Sequence, residues 1–252
     1  MTDVNIVTLK WGTRYPSLFV NHLYCAVKRH LTLRFRFVCL TDDTQGLRSE
    51  IETYPLPTMD LPPNHQRTAW LKIGLFQDGL ADMVGDCLFL DLDLLITDTI
   101  DCFFSYHPGK CCIIHNWIML HQMPFKKRPN IGNSSVFRWR ANTTQSIVDT
   151  FYRQKDWALT QFKIKQQYLT CALGEYYYWP EEWVRSFKRH SVPFFPFNLV
   201  STPHFPKGAR IVVFHGRPDP DQALVGYNPK GKWYRRTLPT PWIGDHWFDH
   251  SS

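Results

Sequence analysis

The stretch Cys87-Leu88-Phe89-Leu90-Asp91-Leu92-Asp93-Leu94-Leu95-Ile96 constrains this chain more than any other. Two carboxylates stand inside an otherwise apolar run. A buried, ionised carboxylate is costly unless a partner charge or a metal compensates it. The apolar residues before Asp91 suffice for a buried strand. The aspartates then fall at its carboxyl end, where open α/β sheets bind their ligands. Residues two apart on an extended strand face one side, so both carboxylates are expected to approach one cation. Hard oxygen ligands suit Mg2+ or Mn2+, which commonly bridge substrate phosphates. A strand ending in open solvent would not run straight on into Leu94-Leu95-Ile96.

The elements around this stretch predict an α/β domain with a single, mainly parallel central sheet flanked by helices. Val4 to Leu9 reads as a first buried strand. Pro16 suits a helix start, and Leu18, Phe19, Leu23, Ala26 and Val27 follow at helical spacing. Phe35 to Leu40 is a second strand, and Ile51 to Leu56 an edge-like third, interrupted by prolines. Arg67 to Leu80 reads as a helix before the aspartate strand. Further on, Cys111 to His115 and Ser135 to Trp139 read as strands. Ser146 to Gln154, Phe162 to Leu173 and Glu181 to Arg189 read as helices. Arg210 to Phe214 is a late strand running into His215-Gly216. Met123 to Pro129, with Lys126, Lys127 and Arg128, reads as an exposed basic loop.

The division expected is a catalytic domain over residues 1–220 and a basic, Trp-rich tail over 221–252. That tail either packs on the domain or contacts an acceptor or a membrane. Its cations and rings suit headgroup depth, and equally suit stacking on a sugar. With 252 residues, 44% hydrophobic and 15% aromatic, the chain can bury a sizeable core, which excludes global disorder. A net charge of +7 favours anionic partners. The cysteines, an odd count without a C-x-x-C pair, read as small buried hydrophobes in a reducing compartment. Neither a leader nor a membrane span is visible, so the expected address is cytoplasmic, with peripheral contact at the inner membrane as an extension.

Phe89-Leu90-Asp91-Leu92-Asp93 resembles the Asp-x-Asp motif of GT-A fold glycosyltransferases. The order of parts resembles the glycogenin-like members, family eight and its bacterial relatives. Val7-Thr8-Leu9 matches their nucleotide-site strand, and Tyr15 the aromatic against the base. Lys72 matches the lysine on the helix before the motif. Asn133-Ser134-Ser135-Val136-Phe137 resembles the segment that touches the donor sugar, with Ser135 where a glycine is usual. Gln166-Gln167-Tyr168-Leu169 resembles an Asp-Gln-x-x-Leu segment. Val213-Phe214-His215-Gly216-Arg217-Pro218 resembles the late His-x-x-Gly-x-Lys-Pro-Trp segment, with Arg217 in place of the lysine.

The resemblance implies a metal-dependent transfer from a nucleotide-diphosphate sugar, with a UDP-sugar expected first, to a glycan or lipid-linked acceptor in bacterial surface polysaccharide synthesis. It implies retention of configuration. Asp91, Asp93 and His215 would hold Mn2+ or Mg2+. Thr8, Leu9, Tyr15, Arg67, Lys72, Asn133, Ser134, Gly216 and Arg217 would contact the donor, and Gln167 would serve catalysis. The chemistry agrees: a cation held by two carboxylates and a histidine would stabilise a departing diphosphate, and Arg217 can bind phosphate bidentately. An inverting enzyme would instead need a carboxylate base, for which Asp42, Asp43, Glu181, Asp219 and Asp245 are all candidates. A metal-dependent nucleotidyltransferase or phosphoesterase is the first alternative. It would carry a Gly-rich phosphate loop or a second acidic cluster, and neither is visible. A nucleic-acid-binding module is the second, against which stand the dispersed basic residues and the lack of a recognition motif.

Overall fold

The computed structural model describes residues 3–117, 130–162 and 165–248, without the side chains of 165 and 166. The basic loop expected at Met123 to Pro129 lies outside the described residues. The strands are β1 Val4–Lys10, β2 Phe35–Thr41, β3 Glu52–Tyr54, β4 Asp86–Leu90, β5 Leu94–Ile96, β6 Cys111–His115, β7 Gly132–Arg140, β8 Tyr176–Tyr178, β9 Val184–Ser186 and β10 Ile211–Val213. The α-helices are α1 Ser17–His30, α2 Cys102–Ser105, α3 Gln145–Arg153, α4 Lys155–Gln161, α5 Lys165–Ala172, α6 Pro220–Val225 and α7 Trp242–Trp247.

The large sheet has the order β3-β2-β1-β4-β7-β6-β8. Strands β3, β2, β1 and β4 run parallel, β7 runs against both its neighbours, and β8 is parallel to β6. Alternation along each strand separates two cores, because successive side chains point to opposite faces. Ile6, Leu88 and Leu90 face the layer formed by α1, α7 and the strands β5 and β10. Val7, Leu9, Cys87 and Phe89 face the opposite layer, with Trp70, Phe76, Phe151 and Tyr168. Phe89 and Phe137 stack there across β4 and β7 at 4.9 Å.

The central sheet is mainly parallel, as expected, and β5, β10 and β9 form a further, three-stranded sheet. Two expectations change. Glu181 to Arg189 is not helical. Val184–Ser186 pairs in parallel with β10, and Phe187–Ser191 follows as one wide π-type turn. Pairing with the fully buried β10 outweighs the local helix preference of this stretch. Arg67 to Leu80 is shorter and tighter, a 3-10 helix over Ala69–Phe76 with Thr68 as its cap. Gly74 lies so close to Pro57 that a Cβ there would stand 2.5 Å from its ring, so the segment is pressed onto the preceding loop.

The described residues up to Phe248 belong to the fold. Helix α6 runs across residues 220–221. Ile243 and Trp247 of α7 are buried, and Trp247 meets Phe19 edge-on at 4.9 Å. Arg29 donates to the carbonyls of His246 and Phe248, each at 2.8 Å. Among the described residues no helix is long and apolar enough to cross a membrane.

Candidate active site

Strand β4 ends at Leu90, so Asp91-Leu92-Asp93 is a bend at its carboxyl end, between the two sheets. The main chain fixes that bend from both sides. The amide of Asp91 donates to Ser135 O at 3.0 Å, and the carbonyl of Asp93 accepts from Phe214 N at 2.8 Å. The first bond ties the bend to β7 and the second to β10, which is how His215 comes to this place. A bulge at Ile113/Ile114 between β6 and β7 sets Asn133 and Ser134 beside it.

The two carboxylates have different surroundings. Lys72 is 5% exposed. Its ammonium donates to Asp91 Oδ1 and Oδ2 at 2.8 and 2.9 Å and to Ser134 O at 2.8 Å. It also lies 4.6 Å from the Phe89 ring centre. All three of its N–H donors are therefore in use. Lys72 enters the site as the counter-charge of Asp91.

Among the described residues Asp93 has no cation of its own. The Tyr15 hydroxyl reaches Asp93 Oδ2 at 3.1 Å and Asp219 Oδ1 at 3.3 Å, and Arg14 pairs with Asp219 at 3.2 Å. Burial, then repulsion from Asp91, pushes the Asp93 carboxyl up to about 7, against the pull of Lys72 and the Tyr15 hydrogen bond. Burial likewise raises the Tyr15 phenol well above its usual range. Tyr15 thus acts through its hydroxyl, while its ring packs on Phe19 and under Arg14.

His215 Nε2 lies 2.6 Å from Ser186 Oγ, and its ring stacks on Trp117 with centres 5.5 Å apart. Burial, followed by the neighbouring Lys188 and Arg189, lowers it to about 4, which keeps the imidazole neutral at pH 7. Asp91, Asp93, Asn133, Ser134, His215 and Gly216 line one open cleft of about 450 Å³, with Lys72, Trp117 and Arg189 also in its walls. Gly216 turns the chain there with φ of +69°, a conformation that a side chain would strain.

Other expected residues are placed differently. Thr8 is fully buried and donates to Leu90 O at 2.8 Å, tying β1 to β4, and Leu9 is in the core. Their side chains are not available to a donor. Arg67 pairs with Asp42 at 3.1 Å, and Asp42 accepts from Gly12 N, so both stand at the carboxyl ends of β1 and β2. Gln167 is half-buried on α5 and is not among the residues lining the cleft, and the side chain of Gln166 lies outside the described residues. Arg217 faces a second cavity and not the aspartate cleft. Sequence reasoning missed Ser186, Lys188 and Arg189, whose only local signal was a basic pair beside a supposed helix end. It also missed Trp117. Asp219, one of five acids left open, is the one that shares the Tyr15 hydroxyl with Asp93.

The residues suit a divalent cation by donor chemistry. Two carboxylates and a neutral imidazole share one cleft, and Asp93 has no ion pair among the described residues. No group of three such side chains among the described residues is already gathered around one point. Ligation by His215 through Nε2 would replace its bond to Ser186.

No family model matches the chain, and no curated protein matches it by sequence. Solved structures do. The galactosyltransferase LgtC in complex with donor and acceptor sugar analogs superposes with a TM-score of 0.54 at 13% identity, over 86% of this chain and 88% of LgtC. The bifunctional glycosyltransferase WbbM gives 0.57 at 8% identity, over 86% of this chain and 46% of WbbM. GlyE of Streptococcus pneumoniae TIGR4 gives 0.54 at 11%, over 87% of this chain and 56% of GlyE. The fold is that of the GT-A glycosyltransferases.

Proposed function

We propose that this chain is a metal-dependent glycosyltransferase that moves a sugar from a nucleotide-diphosphate sugar, a UDP-sugar first, to a glycan or lipid-linked acceptor. One observation carries the reading. Asp91, Asp93 and His215 line a single cleft in a fold shared with LgtC, itself solved with donor and acceptor sugar analogs. Asp91, Asp93 and His215 would hold Mn2+ or Mg2+, which when bound supplies Lewis-acid charge to the leaving diphosphate. Lys72 orients Asp91, and Tyr15 orients Asp93 through its hydroxyl. Asn133 and Ser134 frame the sugar.

In the transfer, the bond from the anomeric carbon to the diphosphate breaks and its electron pair leaves on the nucleotide. The acceptor oxygen bonds to that carbon, and its proton passes to the departing phosphate oxygen. This same-face course retains configuration. One LgtC structure is of an active-site mutant with glutamate in place of glutamine. Gln167 is our candidate for such a glutamine here, although it would have to reach the cleft from α5. Bacterial surface polysaccharide synthesis at the cytoplasmic membrane face is the setting we assign.

A thermal-shift screen of UDP-, GDP-, CMP- and dTDP-sugars with and without Mn2+ tests the binding half of this reading. Ligands that bind only the folded state stabilise it by about 2.7 kcal/mol at a hundredfold excess over Kd. The expected result is a metal-dependent shift with one base family. A flat response to every donor in both conditions would sink the reading.

A further inference from the structure

A second cavity of about 510 Å³ adjoins the aspartate cleft. Its cations are Lys188, Arg189, Arg217, Lys232 and Arg235, and no acidic residue is among its described lining. Like charges gathered without a counter-ion repel, and the arrangement persists where an anion is the partner. Arg189 strengthens the point, because its buried Nε has no hydrogen-bond partner. Burial, then repulsion from Arg189, holds Lys188 below its usual range; burial, then repulsion from Arg235, does the same to Arg189.

The wall carrying two of these cations is fixed. Asn198, 4% exposed, donates from Nδ2 to Tyr234 O at 3.0 Å and to Arg236 O at 2.8 Å, which pins the segment bearing Lys232 and Arg235. Its own Oδ1 is left without a partner. Phe195 and Tyr234, 51% and 42% exposed, put aromatic surface at the same cavity. Flat apolar faces with convergent polar groups, in a space of this size, suit a small ligand with a ring rather than a macromolecule.

His215 and Arg189 line both cavities, so a ligand in the basic one lies next to whatever occupies the aspartate cleft. Lys188, Arg217, Lys232 and Arg235 line the basic cavity alone. A donor diphosphate belongs with Asp91 and Asp93, and leaves those four cations unused.

We propose that the basic cavity is the acceptor site and that the acceptor is an anionic saccharide, carrying a phosphate or a carboxylate held by these cations while its ring lies on the aromatic faces. The acceptor role rests on the glycosyltransferase reading above; the preference for an anionic sugar does not.

The test is calorimetric titration of the full chain, free of divalent metal, with glucose 6-phosphate, glucuronic acid, glucose and inorganic phosphate. The expected result is that at least one anionic sugar binds tenfold or more tighter than both glucose and inorganic phosphate. Which one binds says whether the group is a phosphate or a carboxylate. The double variant Arg217→Ala, Arg235→Ala, checked for an unaltered melting temperature, is expected to lose at least tenfold of that affinity. If it does not fold, Arg217→Gln with Arg235→Gln serves in its place. Equal binding of glucose and the anionic sugars overturns the inference. So does affinity retained in a folded variant, or competition by UDP, which would make this the donor's own phosphate site. Nucleotide-sugar turnover measured alongside separates the two readings. Turnover without an anionic preference removes this inference and leaves the glycosyltransferase. Anionic-sugar binding without turnover of any donor removes the acceptor role.

Discussion

At the scale of single residues, the site turns on how two neighbouring carboxylates are treated. Asp91 is held by Lys72, whereas Asp93 has a tyrosine hydroxyl and a second acid nearby. Among the described residues one carboxylate has an ammonium partner, and the other shares a phenol with a second acid. The pair at Lys72 is nearly buried on the lysine side, but the Asp91 side chain keeps 26% of its surface. Breaking a fully buried pair costs roughly 3–5 kcal/mol. With Asp91 partly solvated, Lys72→Ala is expected to destabilise the fold by about 2–3 kcal/mol. Adding Asp91→Asn should recover part of that loss, because it removes the stranded charge. Chemical denaturation of the single and double variants checks this, and a melting curve for Lys72→Ala unaltered from the parent would contradict it. The sequence showed Asp91, Asp93, Lys72 and His215 because each stood out against apolar neighbours. It could not show that Ser186 meets His215 from 29 residues away, or that Tyr15 meets Asp219 from 204. Contacts of that separation leave no spacing pattern in one chain.

Among elements, the strands that carry the site were legible for a simple reason. β1, β2, β4 and β10 are buried on both faces, and such strands read as short continuous apolar runs. What misled was the border between sheet and helix. Glu181 to Arg189 has the composition of a surface helix, yet its Val184–Ser186 core is recruited by β10. That recruitment brings Ser186 to His215, Arg189 to the cleft and Lys188 to the cavity beside it, so the misread element is the one that adds most around the site. Elsewhere a single side chain ties elements together. Arg138 on β7 is fully buried, with no ion pair to an acid among the described residues. Its guanidinium donates to the carbonyls of Phe103, His107 and Lys110, binding α2 and the turn before β6 to the central sheet. Arg138→Met would leave those carbonyls unpaired, each at about 1–3 kcal/mol when buried. Relaxation and water access reduce the sum, so a net loss of about 3 kcal/mol is expected, seen as a lower melting temperature. No change would show that the carbonyls find other donors.

Across the whole molecule, the two sheets divide the labour. The parallel side of the large sheet ends in Asp42, Arg67 and the aspartate bend, and the small sheet supplies His215 and the basic turn after β9. The aspartate cleft lies where they meet. The C-terminal stretch, in which the sequence admitted a packing arm, a membrane contact or a sugar platform, divides by position. α7 is core, whereas Tyr227, Lys232, Tyr234 and Arg235 line the basic cavity. Its rings and cations face a space next to the proposed donor site, which favours a role toward the acceptor. The central claim remains that Asp91 and Asp93 serve a metal that carries the leaving diphosphate. The most direct measurement is release of nucleoside diphosphate from a nucleotide sugar, with Mn2+ and with chelator, in the parent chain and in Asp93→Ala. The account predicts release that needs the metal and falls in Asp93→Ala by about a hundredfold or more, in line with about 2.7 kcal/mol or more of lost transition-state stabilisation. Release that is indifferent to chelator, or that Asp93→Ala leaves intact, would contradict it.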